Sequence, residues 1–245
     1  MSRVSFVVMT WNRGGQRVTN LLRSLLCYQM EPAHELVLVD TSDDPAIAND
    51  VARRARLFEH CRLIQAPQES LYKSWALNVG IKATHPGAEF VAATDIDFMF
   101  GSRMTHILRR TARAGRFVLA QPLRLPKDAN LSDPFSGENY RALAMKATWW
   151  GHTGGPGTLQ CAARDWWFKV HGYDERYAEG LGGMDDDMLL RARRDGLRIE
   201  RLTFEEAMPL HQWHEPTAFK GQLHGRVASG PGVVVNPDGW GELDT

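Results

Sequence analysis

Cysteine is scarce. Cys27, Cys61 and Cys161 are the only three in 245 residues, far apart and odd in number. No disulfide framework and no paired zinc spacing follow from them, and a reducing cytoplasm is the expected compartment. An excess of either charge is also missing, because Lys plus Arg and Asp plus Glu both number 29. That balance argues against a bulk electrostatic partner such as DNA or an anionic membrane, and leaves only local basic patches. No apolar run is long enough for a membrane span, and MSRVSFVVMTWN carries no signal-like segment, so stable membrane insertion is not expected. Internal repeats and low-complexity linkers are absent.

What is present is an ordinary globular composition, 43% hydrophobic and 24% charged, enough for a sizeable core. Short β-rich runs alternate with helical periodicity. VSFVVM (4–9), ELVLVD (35–40), CRLIQ (61–65) and the start of FVAATDIDFMF (90–94) read as strands. Residues 16–29, 46–58 and 70–83 between them read as helices. This rhythm implies parallel β-α-β crossovers and an α/β fold with a mostly parallel, doubly wound sheet. Further on, 104–114 and 183–195 read as helices and 117–122 as a strand. Residues 125–157 form a long irregular stretch with one helix-like piece, and an extended Gly- and Pro-rich tail follows Phe219.

In such sheets ligands sit beyond the carboxyl ends of the strands. Three polar clusters fall there: Thr10, Asn12 and Arg13; Asp40; and Asp95 with Asp97. Two carboxylates one residue apart repel each other and are costly to desolvate, and a hard divalent cation would offset that cost. The plainer reading makes Asp97 a helix cap. Asp40 could accept from a ribose hydroxyl or a base N–H, or simply close an Asx turn. Asn78 and Gly80 interrupt a helical run, as close packing or ligand approach would require. Asp185, Asp186 and Asp187 open the helix at 183–195. One acid suits a helix start, but three adjacent ones repel, so a general base over a cleft is the sharper reading. His211 and His214 flank Trp213, and either could be the remaining protein ligand of a metal held by Asp97. Trp149, Trp150, Trp166, Trp167 and Trp213 could stack on sugar rings or a nucleobase, although at least half are expected to be core.

Together these residues resemble nucleotide-sugar-dependent glycosyltransferases of the GT-A fold, of the broad family-2 type. VSFVVMTWNR and ELVLVDTSDD resemble that family's first two strands, SWALNVGIKAT its Asn-x-Gly segment, and TDID its metal-binding DxD. The segment DWWFKVHGYDERYAEGLGGMDDDMLLRARRDG is similar to β-1,4-galactosyltransferases and chondroitin-type polymerases. The resemblance implies an inverting transferase that moves a sugar from a nucleotide-diphospho sugar, most simply a UDP-sugar, with Mn²⁺ or Mg²⁺. It implies that Asp40 and Asp95 contact the donor, that Thr10, Asn12, Arg13 and Asn78 belong to the donor site, and that Asp97 ligates the metal. Asp185 would be the base, Asp186 an acceptor contact, and His211 the late metal ligand. Met184, Leu181 and Trp75 depart from the family's Glu, Trp and Arg. One domain over 1–245 is expected, with a nucleotide-sugar half at 1–100, an acceptor half at 101–218 and a tail at 219–245. The acceptor is open: a glycan, a lipid-linked glycan, a protein, a metabolite or a modified nucleic-acid base. A nucleotidyltransferase of similar fold and a non-catalytic sugar-binding module are the alternative readings.

Overall fold

Strand β1 (Val4–Thr10) is buried at every position, and β2 (Glu35–Asp40) at all but its first. This follows from their place inside a parallel sheet covered on both faces, where apolar runs are continuous instead of alternating. The structure, a computed structural model, describes residues 3–31, 33–149, 157–177, 183–215 and 232–243.

Along the chain, α1 (Gln16–Leu26) follows β1, and α2 (Pro45–Ala55) follows β2. Next come β3 (Cys61–Gln65), α3 (Lys73–Lys82), β4 (Phe90–Asp95), β5 (Phe98–Met99) and α4 (Met104–Thr111). The second half adds β6 (Arg116–Ala120), β7 (Leu123–Arg124), α5 (Asn139–Lys146), β8 (Thr148–Trp149), β9 (Leu159–Ala163) and α6 (Arg164–Lys169). It closes with α7 (Met184–Arg194), β10 (Arg198–Leu202), α8 (Phe204–Ala207) and β11 (Leu210–His211). The large sheet has the order β10-β6-β9-β4-β1-β2-β3, with β9 antiparallel to both neighbours and the other pairings parallel. The expected mostly parallel sheet is therefore present, and strands from both halves of the chain share it.

Alternate side chains of β1 and β2 enter two cores. Val4, Phe6, Val8, Leu36 and Leu38 pack toward α1, α2 and α4; Val7, Met9, Val37 and Val39 pack toward α3, α6 and α7. α2 starts cleanly because Asp44 accepts from the Ala46 and Ile47 amides ahead of Pro45 at the first helical position. α3 is buried from Ser74 to Ile81, between the sheet and residues 232–243, where Trp240 and Gly241 lie over it. Gly80 makes this approach possible, since a Cβ there would lie 2.4 Å from Val7 Cγ1. Gly80→Ala is expected to destabilise the chain by about 1–3 kcal/mol, the usual cost of overpacking, despite alanine's better helix propensity. Chemical denaturation checks this, and an unchanged midpoint would refute it.

Register sets the rim of the site. Thr10 pairs with Asp40, and Met9 with Asp95, so the ends of β1, β2 and β4 stand level. A second sheet, β5-β11-β7-β8, begins at Phe98, three residues beyond Asp95. Asp97 therefore precedes a strand and caps no helix. In this sheet β11 runs antiparallel to β5, pairing His211 with Phe98, and the Gln212 amide donates to the Asp97 carbonyl at 2.7 Å. Strand pairing thus carries the late histidines back to the DxD turn.

The stretch expected to be irregular at 125–157 contains α5 and β8, and Leu125, Tyr140 and Leu143 form a small core with Met99 and Leu210. Residues 150–156, with Trp150, lie outside the described residues, as do Leu181 and the first part of the expected tail. Among the described residues no helix is long and apolar enough to cross a membrane.

Candidate active site

Asp97, beyond the end of β4, is buried, 4% exposed. One of its oxygens is paired with Arg13, and the other lies 3.0 Å from Arg17 Nη1. His214 Nε2 is 3.4 Å from the Arg13-side oxygen, and the His211 and His214 rings are 5.1 Å apart. Asp97, His211 and His214 each offer a ligand atom, and these atoms lie within 4.8 Å of one another. The three residues expected to hold a metal are thus brought together, and both histidines reach the group.

A carboxylate with two imidazoles is a donor set suited to a divalent ion if the imidazoles are neutral. Burial pushes His211 down to about 3, helped by the positive neighbours His214, Arg124, Arg13 and Arg17. Its ring is therefore neutral at any ordinary pH. Burial pushes the Asp97 carboxyl up, against the opposing pull of Arg13 and Arg17.

Lys73 links Asp95, at the end of β4, to the acid triplet. Its Nζ lies 2.8 Å from Asp95 Oδ1 and 3.5 Å from Asp185 Oδ2. Burial works against the ammonium, but Asp185 and Asp95 more than offset it, so Lys73 stays charged. Burial raises Asp185, as does the charge of Asp95, while Lys73 lowers it. Gly157 leaves room for this carboxylate, since a Cβ there would lie 2.4 Å from Asp185 Oδ2. Sequence reasoning passed over Lys73. The signal was a cation at the first position of a helix, where it opposes the helix dipole and contributes nothing to the helix itself.

The three acids at the start of α7 separate. Asp185 faces Lys73, Asp186 is exposed, and Asp187 is 2% exposed and bonded to Arg191. Successive positions on a helix point about 100° apart, which sorts adjacent acids into different surroundings.

The first two loops brace each other. The Thr10 hydroxyl donates to the Arg13 carbonyl at 2.9 Å. Asn12, in the left-handed region at φ 49, donates its amide to Ser42 and its side chain to Asp43. Asp40 Oδ1 accepts from the Ser42 amide and hydroxyl, the Asx turn weighed above, whereas its buried Oδ2 has no partner among the described residues. An orphaned buried carboxylate oxygen at a strand end fits a donor N–H or O–H from a ligand. Asp50 steadies the first loop by accepting from the Gly15 amide at 2.7 Å. Hydrogen bonds from Arg54, Gly15 and Arg53 hold its carboxyl down at about 2, against an ordinary 3.8. A depressed folded-state value gives stability that is present above pH 4 and lost as pH falls through about 2. Asp50→Asn should accordingly be less stable than wild type at neutral pH, with the gap closing in acid titrations followed by circular dichroism.

Asn78, expected in the donor site, is placed elsewhere. It is fully buried, exchanges hydrogen bonds with the Tyr173 backbone at 2.7 and 2.8 Å, and donates to Glu175 Oε1 at 2.8 Å. The amide fastens α3 to the turn at 173–175 and belongs to the framework. Among the tryptophans, Trp75, Trp166, Trp167 and Trp240 are buried; Trp149 is exposed, and Lys127 stands 4.5 Å from the Trp213 ring.

Comparison with solved structures gives the architecture its class. Residues 1–349 of S. aureus TarS match with a TM-score of 0.59 and 16% identity, over 86% of this chain and 60% of that one. Their complex with UDP-GlcNAc matches with a TM-score of 0.61 and 16% identity, over 90% and 61%. The chain has the GT-A glycosyltransferase fold. It spans about three fifths of the length of those TarS structures. Residues 141–215 match the family model for the N-terminal domain of galactosyltransferase. That stretch of the GT-A chain holds β9, α6, the acid triplet and both histidines. No curated protein matches the sequence.

Proposed function

We propose that the chain is an inverting glycosyltransferase that moves a sugar from a nucleotide-diphospho sugar, most simply a UDP-sugar, to an acceptor hydroxyl. The observation that carries this is the Lys73 ammonium lying between Asp95, on the DxD turn, and Asp185, at the head of α7. It joins a donor-side acid and a base candidate at one rim, beside the Asp97–His211–His214 group.

Asp40 Oδ2 receives a donor from the nucleoside, and Asp95 lies on the donor's ribose and phosphate side. Asp97, His211 and His214 would hold a divalent ion, and the mixed oxygen and nitrogen set favours Mn²⁺ over the strictly oxygen-seeking Mg²⁺. When bound, such an ion offsets the charge that develops on the leaving diphosphate. Asp185 takes the proton of the acceptor hydroxyl as that oxygen attacks the anomeric carbon from the face opposite the diphosphate. Its raised affinity for protons makes it a better base than an exposed aspartate. Arg13 and Lys73 supply fixed positive charge near the phosphates. Asp186, exposed beside the base, is placed to meet the acceptor.

Residues 1–100 supply the donor half and 101–218 the acceptor half of one cytoplasmic domain. The acceptor belongs to one of the classes named above. Because one matching TarS structure contains UDP-GlcNAc, that sugar nucleotide is the first donor to test. Incubation with UDP-sugars and Mn²⁺ should release UDP, slowly without acceptor. Pyrophosphate released from a nucleoside triphosphate would instead mark a nucleotidyltransferase, and no release of either kind a binding module.

A further inference from the structure

We propose that Arg17 couples metal binding to diphosphate binding: it pairs with Asp97 and moves onto the donor's phosphates when an ion takes its place. The proposal rests on the donor-site reading above. Each oxygen of the Asp97 carboxylate is held by a different guanidinium, Arg13 on one side and Arg17, at 3.0 Å, on the other. An ion arriving at this carboxylate competes with both guanidinium groups for its oxygens and is opposed by their positive charge.

Arg17 is the one placed to leave. The Arg13 Nη1 that meets Asp97 also lies 3.5 Å from His214 Nε2, a second contact for that guanidinium. Arg17 is the second residue of α1, in a first turn with no acidic residue, where a cation disfavours the helix. Its side chain is a quarter exposed, as is that of Arg13, so solvent access leaves it room to move without separating the two. Its backbone is anchored close to the ion site, since the buried Gln212 donates from Nε2 to the Arg17 carbonyl and from its amide to the Asp97 carbonyl. The guanidinium can therefore pivot while its Cα stays at the rim.

A displaced arginine at this rim needs a new anion, and the diphosphate that accompanies the ion supplies one. Phosphate oxygens match the guanidinium fork as well as a carboxylate does. The ion alone must break the Arg17–Asp97 pair without compensation, whereas ion and diphosphate together replace it. The two ligands then favour each other, and by linkage the coupling is reciprocal.

The test uses Mn²⁺ and UDP as probes on the full chain. Free Mn²⁺ is counted by electron paramagnetic resonance, and UDP binding is measured by dialysis at saturating Mn²⁺. Arg17→Ala is expected to bind Mn²⁺ alone about tenfold tighter than wild type, yet bind UDP with Mn²⁺ about tenfold weaker. Arg17→Lys, which keeps the charge without the fork, should fall between the two for UDP. His211→Ala should lose Mn²⁺ binding, placing the ion in this group. A purely structural Arg17 would weaken both affinities or neither, and either result overturns the proposal while wild-type binding of UDP with Mn²⁺ leaves the donor site standing. Failure of the wild type to bind UDP with Mn²⁺ would remove the donor reading and this proposal with it.

Discussion

Asp185→Asn is expected to lower turnover by about a thousandfold, within the range that general bases contribute, while leaving UDP binding with Mn²⁺ within about twofold of wild type. Asparagine keeps the size and shape of the side chain but cannot take a proton. Lys73 retains Asp95 at 2.8 Å, its shorter contact, so the donor side should stay in place. The loss should appear in kcat and in kcat/KM alike, the signature of an interaction made only in the transition state. The wild-type rate should fall toward acid along a limb set by Asp185, whose active form is the carboxylate. Burial raises that group, so the limb should lie above the usual aspartate range and vanish in the residual activity of the variant. Near-normal turnover of Asp185→Asn would sink the assignment and pass the role to Asp186, one position along α7 and exposed.

What was legible in the sequence depended on how local each signal was. The rim at the ends of β1, β2 and β4 could be read because these are buried parallel strands, whose apolar runs stop where the polar residues begin. β9 could not: LQCAA is five residues long, follows a Gly-rich stretch, and gains its strand character from lying between β4 and β6. β10, RIERL, carries charges through an edge strand, and two-residue strands such as β5 and β11 have no period to detect. The grouping of Asp97, His211 and His214 was anticipated from residue types, but what assembles it is the pairing of His211 with Phe98 across more than a hundred residues of chain. The packing role of Asn78 was hidden for the same reason, because its partner Tyr173 is 95 positions away. Lys73 and Arg17 escaped notice although both left the same trace, a basic residue in the first turn of a helix at the rim. A placement unfavourable for the helix becomes intelligible once an acid across the rim is known to answer it.

The triplet's third acid leads to the largest stability effect expected. Asp187 Oδ2 accepts from Arg191 Nε at 2.8 Å, with the two side chains 2% and 0% exposed. Arg191 Nη1 also donates to the carbonyls of Gly172 and Val233 at 2.9 and 3.2 Å, tying α7 to the turn after α6 and to residues 232–243. Asp187 Oδ1 and Arg191 Nη2 have no partner among the described residues, so the pair is buried without being fully satisfied. Such a pair contributes little beyond what apolar side chains of similar volume would, but removing one member strands the other's charge away from water. Arg191→Met should cost about 3–5 kcal/mol, which for a chain of this length lowers the melting temperature by roughly 10 °C. Asp187→Leu combined with Arg191→Met should recover most of that loss, giving a coupling energy in the double-mutant cycle well above the error of the measurement. A double variant as unstable as the single one would show that the carbonyl contacts of Arg191, and not its charge partner, anchor the helix. In that case the orientation of Asp185 at the head of α7 would depend on backbone acceptors in residues 170–172 and 233, and substitutions near that turn should disturb turnover as well as stability.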